Sequence, residues 1–178
     1  PAESFERMTE DVGGFNNAST ASDRTEYHET VPANHLEPIL WAEAERMGFL
    51  VVDETNFKSE RAVVQEELRQ SVLSNPYGKL FYLYLDQTGY DKHPYGRTTI
   101  GSIADLDAAT VDDVRAFHAA YYRPDNAVMV VSGNFDAKQL DAWVVKYFGL
   151  IKSPRRPIPR VTTQEPALAA PKSFTTYE

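Results

Sequence analysis

The sequence predicts a mixed helix-and-sheet fold, and three observations carry the prediction. Apolar residues recur every three or four positions in several long stretches, as amphipathic helices require. Two short runs rich in β-branched and aromatic residues flank the polar turn Ser22-Asp23-Arg24, the pattern of paired strands. The bounded apolar run NAVMVVSGNF has the length and residue types of a buried strand.

The elements follow in chain order. ESFERMTEDV places Phe5, Met8 and Val12 at helical spacing and stops at Gly13-Gly14, so a short helix opens the chain. FNNASTASDRTEYHETV then reads as two strands joined by a turn. In HLEPILWAEAERMGFL, Leu36, Ile39, Leu40, Ala44 and Met47 form a helical stripe, with Pro38 tolerated in the first turn. TNFKSERAVVQEELRQSVLS gives the clearest helix, with a cap expected at Thr55 or Asn56 and Phe57, Val64, Leu68 and Val72 on one face. KLFYLYLDQTGY predicts a further helix ending near Gly89, and HPYGRTTIG a turn-rich loop. TVDDVRAFHAAYY starts at a Thr110 cap with Asp112 and Asp113 complementing the helix dipole. DAKQLDAWVVKYFG closes with a helix stopped at Gly149. Residues 152–172 hold five of the eleven prolines and read as an extended linker. The tail SFTTYE has strand-like composition.

Composition narrows the chemistry. The 178 residues are 42% hydrophobic and 25% charged, which is globular and neither disordered nor coiled-coil. With no cysteine there is no thiolate metal site, thiol nucleophile or disulfide, and this fits either redox compartment, so localisation stays open. The net charge of −8 divides into −11 over residues 1–150 and +3 over 151–178. Such an acidic body speaks against nucleic acid and anionic lipid as partners. No apolar run approaches the roughly 18 residues of a membrane span.

Four histidines, His28, His35, His93 and His118, include no pair spaced as in HExxH or HxxEH, and each reads as a surface or hydrogen-bonding residue. Phosphate loops and the GxSxG elbow are absent. Glu60 and Glu67 on SERAVVQEELRQ are seven residues apart, which sets both carboxylates on one helical face roughly 10 Å apart along the axis. Two readings stand: a solvated acidic face paired with Arg61 and Arg69, or, since Val63, Val64 and Leu68 share Glu67's stripe, a partly inward carboxylate in want of a cation.

Several motifs occur in order: PAESFERMTEDVGGFNNASTASDRTEYH, ERAVVQEE, NPYG, HPYGRTTIG and YYRPDNAVMVVSGNFD. Together they resemble the pitrilysin/insulinase zinc peptidases, which include the mitochondrial processing peptidase. The resemblance implies an α+β fold, a mixed and largely antiparallel sheet covered by helices, usually in two homologous halves. Residues 1–151 would then be a partial peptidase domain, and 152–178 a linker leading to the second half. By the match of ERAVVQEE, Glu67 corresponds to the zinc ligand and Glu60 to the carboxylate that supports the site from behind. The family's HxxEH helix has no counterpart in this sequence. Family spacing places its second histidine roughly ten residues before Pro1. The resemblance thus implies a shortened zinc metalloendopeptidase, acting on peptides or small unfolded proteins, with no catalytic residue of its own. Zinc would belong to the full-length parent and not to this chain. Asn17, Ala18 and Thr20 match the edge strand that receives an extended peptide, although the same residues read equally as an ordinary hairpin. The resemblance further implies a second half or partner subunit, hence a dimer. A noncatalytic, structural or substrate-binding subunit of a heteromeric pair is the alternative, against which the retained Glu60 and Glu67 argue.

Overall fold

The computed structural model describes residues 4–177. Glu3, the first residue of the expected opening helix, and Glu178, the last of the tail, lie outside the described residues. The fold is α+β: among the described residues seven α-helices accompany one two-stranded sheet. The chain forms two compact units. One contains the residues up to Ser19, Thr25–Val52 and Asp112–Pro159; the other contains Thr20–Arg24, Asp53–Val111 and the residues from Arg160 onward.

In the first unit, α1 (Ser4–Glu10) ends where Gly13, at φ 76°, lets its N–H reach the Glu10 carbonyl while the Gly14 N–H reaches that of Thr9. Those two bonds close the helix end in the manner of a Schellman motif, which the left-handed glycine permits. Thr9 is fully buried there and accepts from the Asn16 side-chain amide, fixing where strand β1 (Phe15–Thr20) leaves the helix. A Cβ on Gly14 would come within 2.4 Å of the Thr30 carbonyl oxygen, so only glycine lets the start of β1 lie against the end of β2 (Thr25–Thr30).

Helix α2 (Leu36–Gly48) buries Ile39, Leu40, Ala42 and Ala44 against α1 and α7 (Ala137–Phe148). Glu37 fastens α2 to α7, accepting from Lys146 Nζ at 2.9 Å and the Tyr147 hydroxyl at 2.7 Å. Helix α6 (Val111–Tyr121) adds His118, whose Nε2 meets the Arg46 carbonyl at 2.9 Å. Arg123, 4% exposed, forks onto Asp125 and donates to the carbonyls of Pro154 and Arg156.

The second unit is built on α3 (Glu54–Glu67), which continues as a π-helical turn over Leu68–Leu73. The cap is Asp53, whose carboxylate accepts from the Asn56 N–H at 2.8 Å, and not Thr55 or Asn56. Asp53 lies outside the helix with extended backbone (φ −120°, ψ 169°), which aims its short side chain back at the free N–H groups. Leu68, Val72 and Val111 make this unit's buried apolar centre. A second π-helical turn, Leu80–Tyr84, leads into α4 (Leu85–Gly89). Before it, Gly78 sits where a Cβ would fall 2.2 Å from the Val72 carbonyl oxygen. Helix α5 (Ile103–Ala108), which hydrophobic spacing does not announce, is capped by Ser102 on the Asp105 N–H.

Two expected strands are not formed. Residues 126–133, read as a buried strand, are extended at Ala127 (φ −125°, ψ 151°) yet join no sheet, because no described strand lies beside them to complete a ladder. Residues 173–177 likewise form no strand. The proline-rich stretch contains no regular element, as its composition predicts, but Glu165 anchors it: its carboxylate accepts from the N–H groups of Asp91, Lys92 and His93 at 2.7 to 3.0 Å. Those donors pull the Glu165 pKa down to about 2. Lys172 pairs with Asp91 at 2.8 Å, and the Phe174 ring rests 5.4 Å from that of Tyr84.

Candidate functional site

Helix α3 carries both predicted carboxylates in the second unit. Glu60 and Glu67 are exposed, and among the described residues neither forms a hydrogen bond or ion pair. The arginines that would neutralise them are committed elsewhere. Arg61 donates to the Asp107 carbonyl at 3.4 Å and lies over the Phe57 ring, while Arg69 pairs with Glu66. Gln65 adds a 2.7 Å bond to Asp107, tying α3 to α5. The expectation that Glu67 faces partly inward is corrected: of the residues on its stripe Leu68 is buried and Val64 half-buried, but Val63 is 59% exposed and Glu67 is itself exposed, as is Glu60. What the structure presents there is a pair of unneutralised carboxylates on an uncovered helical face.

Three of the four histidines have partners of their own. His28 packs against Phe15, the His93 Nδ1 accepts from the Tyr95 N–H at 3.2 Å, and His118 is stacked on Tyr122. Among the described residues no group of three or more histidines and carboxylates is placed to hold a metal ion. Catalytic zinc takes about three protein donors. No such set is brought together among the described residues, so they do not by themselves fit a zinc ion.

The hairpin carries the other predicted residues. Asn17 and Ala18 are exposed on β1 in the first unit, and Thr20 ends that strand in the second. With two strands in the sheet among the described residues, each has an edge that none of them pairs. The Ala21 N–H bonds the Arg24 carbonyl at 2.8 Å. In an antiparallel pair this direction alternates, so the Ala18 N–H points away from β2. There it is met by the Asn17 side-chain oxygen at 2.8 Å. The outer edge of β1 is thus a row of backbone groups, one of them covered by a neighbouring side chain that an incoming strand would displace.

Sequence reasoning missed a third cluster, in the first unit. Arg46 on α2 lies over the rings of Phe5 and Tyr27, 3.1 Å from Glu43 Oε1 and 3.7 Å from Glu29 Oε1. Both carboxyl oxygens are buried with no hydrogen-bond donor in alignment. Burial, and then the hydrogen bond to Glu29, raise the Glu43 pKa to about 8, against the pull of Arg46. Burial and the Tyr122 hydroxyl likewise push the Tyr27 phenol upward. The i, i+3 spacing of Glu43 and Arg46 is visible in sequence, but no local pattern brings Glu29 of β2 to it.

Comparison with known proteins places these features. Residues 1–103 match the family described as Insulinase (Peptidase family M16), and residues 108–177 match the Peptidase M16 inactive domain. The chain is 34% identical over 163 residues to the zinc protease PqqE of Helicobacter pylori, an alignment covering 91% of this chain and 36% of that protein. It is 24% identical over 155 residues to the mitochondrial-processing peptidase subunit beta of Saccharomyces cerevisiae, covering 87% of this chain and 33% of that one. The crystal structure of a protease from Helicobacter pylori superposes with a TM-score of 0.85 at 34% identity, over 91% of this chain and 39% of that chain. The chain therefore spans about a third of the length of the curated relatives it matches. With more than half of its residues matched to the first of these models, the chain belongs to the insulinase (M16) family of peptidases.

Proposed function

We propose that this chain is part of a zinc-dependent metalloendopeptidase that hydrolyses peptides or small unfolded proteins, and that it is inactive alone. The observation that carries the reading is the pair Glu60 and Glu67, left unneutralised on α3 while Arg61 and Arg69 engage other groups. Carboxylates held ready in this way suit a cation whose other donors come from elsewhere. In this reading Glu67 is a zinc ligand, Glu60 steadies it from behind, and the histidine pair belongs to polypeptide outside residues 1–178. Residues 1–151 are the peptidase-type part, and 152–178 run toward a second half or partner subunit.

The open edge of β1 supplies the substrate side. Main-chain pairing along Asn17, Ala18 and Thr20 holds an extended peptide with little regard for its side chains, which selects unfolded chains over folded ones.

The test is a chimera in which this chain replaces the aligned stretch of Helicobacter pylori PqqE. Zinc-dependent hydrolysis of unstructured peptides is expected, with Glu67→Gln lowering it about 1,000-fold or more and Glu60→Gln about 10- to 100-fold. A folded chimera that binds peptides but never cleaves them would instead favour the noncatalytic subunit. Ala18→Pro deletes one outward N–H at an edge position where proline is tolerated. It should raise the chimera's KM for peptides about tenfold or more, leaving kcat and the circular dichroism spectrum unchanged. An unaltered KM would remove β1 from the substrate site.

A further inference from the structure

Three parts of the second unit that are distant in sequence meet at the loop 90–97: the turn Thr20–Arg24, the loop itself and the tail from Arg160 onward. On one side the Tyr95 hydroxyl donates to the Asp23 carboxylate in the turn. On the other, the N–H groups of Asp91, Lys92 and His93 converge on Glu165. Successive N–H groups aimed at one point make a concavity of positive partial charge, and an anion seated in it is what holds such a backbone in shape. His93 carries that shape to Tyr95. Its Nδ1 accepts from the Tyr95 N–H at 3.2 Å, and its ring meets the Tyr95 ring edge to face with centroids 4.2 Å apart. Tyr90 closes on the same ring at 5.6 Å. With Glu165 seated, the Tyr95 hydroxyl is therefore aimed at Asp23 by a loop that has little freedom.

The turn itself is exposed from Ala21 to Arg24, and its backbone is closed by the Ala21 N–H on the Arg24 carbonyl at 2.8 Å. Because that N–H faces β2, the Thr20 N–H one residue earlier faces outward, at the end of the β1 edge. A shift of Asp23 is passed through the turn to the direction in which Thr20 presents this donor. We infer that Tyr95 is a positioning residue for peptide binding: it fixes the turn that ends β1 at Thr20, and it does so while the Glu165 carboxylate occupies the N–H groups of residues 91–93. Seating of the tail thereby sets how well the edge takes a peptide. That consequence rests on the reading of β1 as the substrate edge; the link from Glu165 to the turn requires neither peptide nor zinc.

The link is read from exchange of the Ala21 amide, followed by nuclear magnetic resonance in the full chain. Tyr95→Phe keeps the ring and deletes the hydroxyl, while Glu165→Gln deletes the charge that the three donors face. Each should speed Ala21 exchange about 3- to 10-fold with the circular dichroism spectrum unchanged. The two together should do no more than either alone, because they act in series. Asp23→Ala should match them, and Asp23→Asn, which keeps an acceptor for the hydroxyl, should restore slow exchange. A role for Glu165 confined to holding the tail would leave Ala21 untouched. In the PqqE chimera, Tyr95→Phe and Glu165→Gln should each raise KM for peptides about 3- to 10-fold and leave kcat unchanged. Unaltered Ala21 exchange in either variant, or effects that multiply in the double variant, would overturn the inference whatever the chimera does. So would an unaltered KM in a chimera whose KM does respond to Ala18→Pro. A chimera indifferent to Ala18→Pro would refute the reading of β1 and the consequence for peptides with it, a failure that the Ala21 measurement tells apart from a missing link.

Discussion

Replacing Leu68 with alanine lowers the stability of the chain by about 3 kcal/mol, read as a fall of about 1 M or more in the urea midpoint. Leu68 is 2% exposed and, with Val72 and Val111, constitutes the second unit's buried apolar centre. It stands where α3 passes into the π-helical turn, so the cavity opens beside Glu67. With so few residues sharing the burial, neighbours have little means of closing that space, which places the cost inside the usual leucine range rather than at its foot. Val63→Ala, on the open side of the same helix, should change stability by less than about 0.5 kcal/mol. Equal effects from the two substitutions would show that α3 packs by another face.

Glu43→Gln abolishes a pH dependence that the chain otherwise shows between pH 5 and 8. The Glu43 pKa lies near 8 in the folded chain, against 4.5 for an ordinary glutamate. In that interval the folded form holds a proton that the unfolded form has released. Its contribution is therefore complete below pH 4.5 and is lost as pH rises toward 8. Thermal unfolding should show the midpoint falling over this interval, and the fall should vanish in Glu43→Gln, whose neutral amide can donate to Glu29 at every pH. The variant should also be the more stable of the two at pH 8. Glu165 and Asp125, whose pKa values are drawn down to about 2 by backbone donors and by Arg123, act in the opposite sense. Their contributions are lost only as pH falls toward 2, from 4.5 for Glu165 and from 3.8 for Asp125, outside the interval. A variant that keeps the full slope would place its origin elsewhere.

What could be read from sequence depended on how local its cause is. The hairpin around Ser22-Asp23 and the helices at Leu36–Gly48 and Glu54–Glu67 follow from turn chemistry and periodicity within a few residues, and they form as expected. Asp53 and Ser102 are also local signals, each three residues before the N–H it caps; the first was obscured by Thr55 and Asn56 and the second by the turn-rich loop before it. Residues 126–133 fail for a different reason: β-branched composition states a need for burial, but nothing within the run says which strand would meet it. The same limit applies to Glu67, whose stripe predicts a partly inward carboxylate only where Val63 is covered as well as Val64 and Leu68. The Glu29, Glu43 and Arg46 cluster joins β2 to α2, a long-range fact that no spacing within either element encodes.

The anchoring of Glu165 means that covalent continuity is not what retains the end of the chain. Three backbone donors hold its carboxylate, Lys172 reaches Asp91 and the carbonyl of Thr88, and Phe174 lies on Tyr84. The stretch just before it, 161–164, offers a protease exposed backbone without regular structure. Nicked there, the second unit would keep the terminal segment as a bound peptide ligand, released by acid as Glu165 takes up its proton rather than by the cut itself.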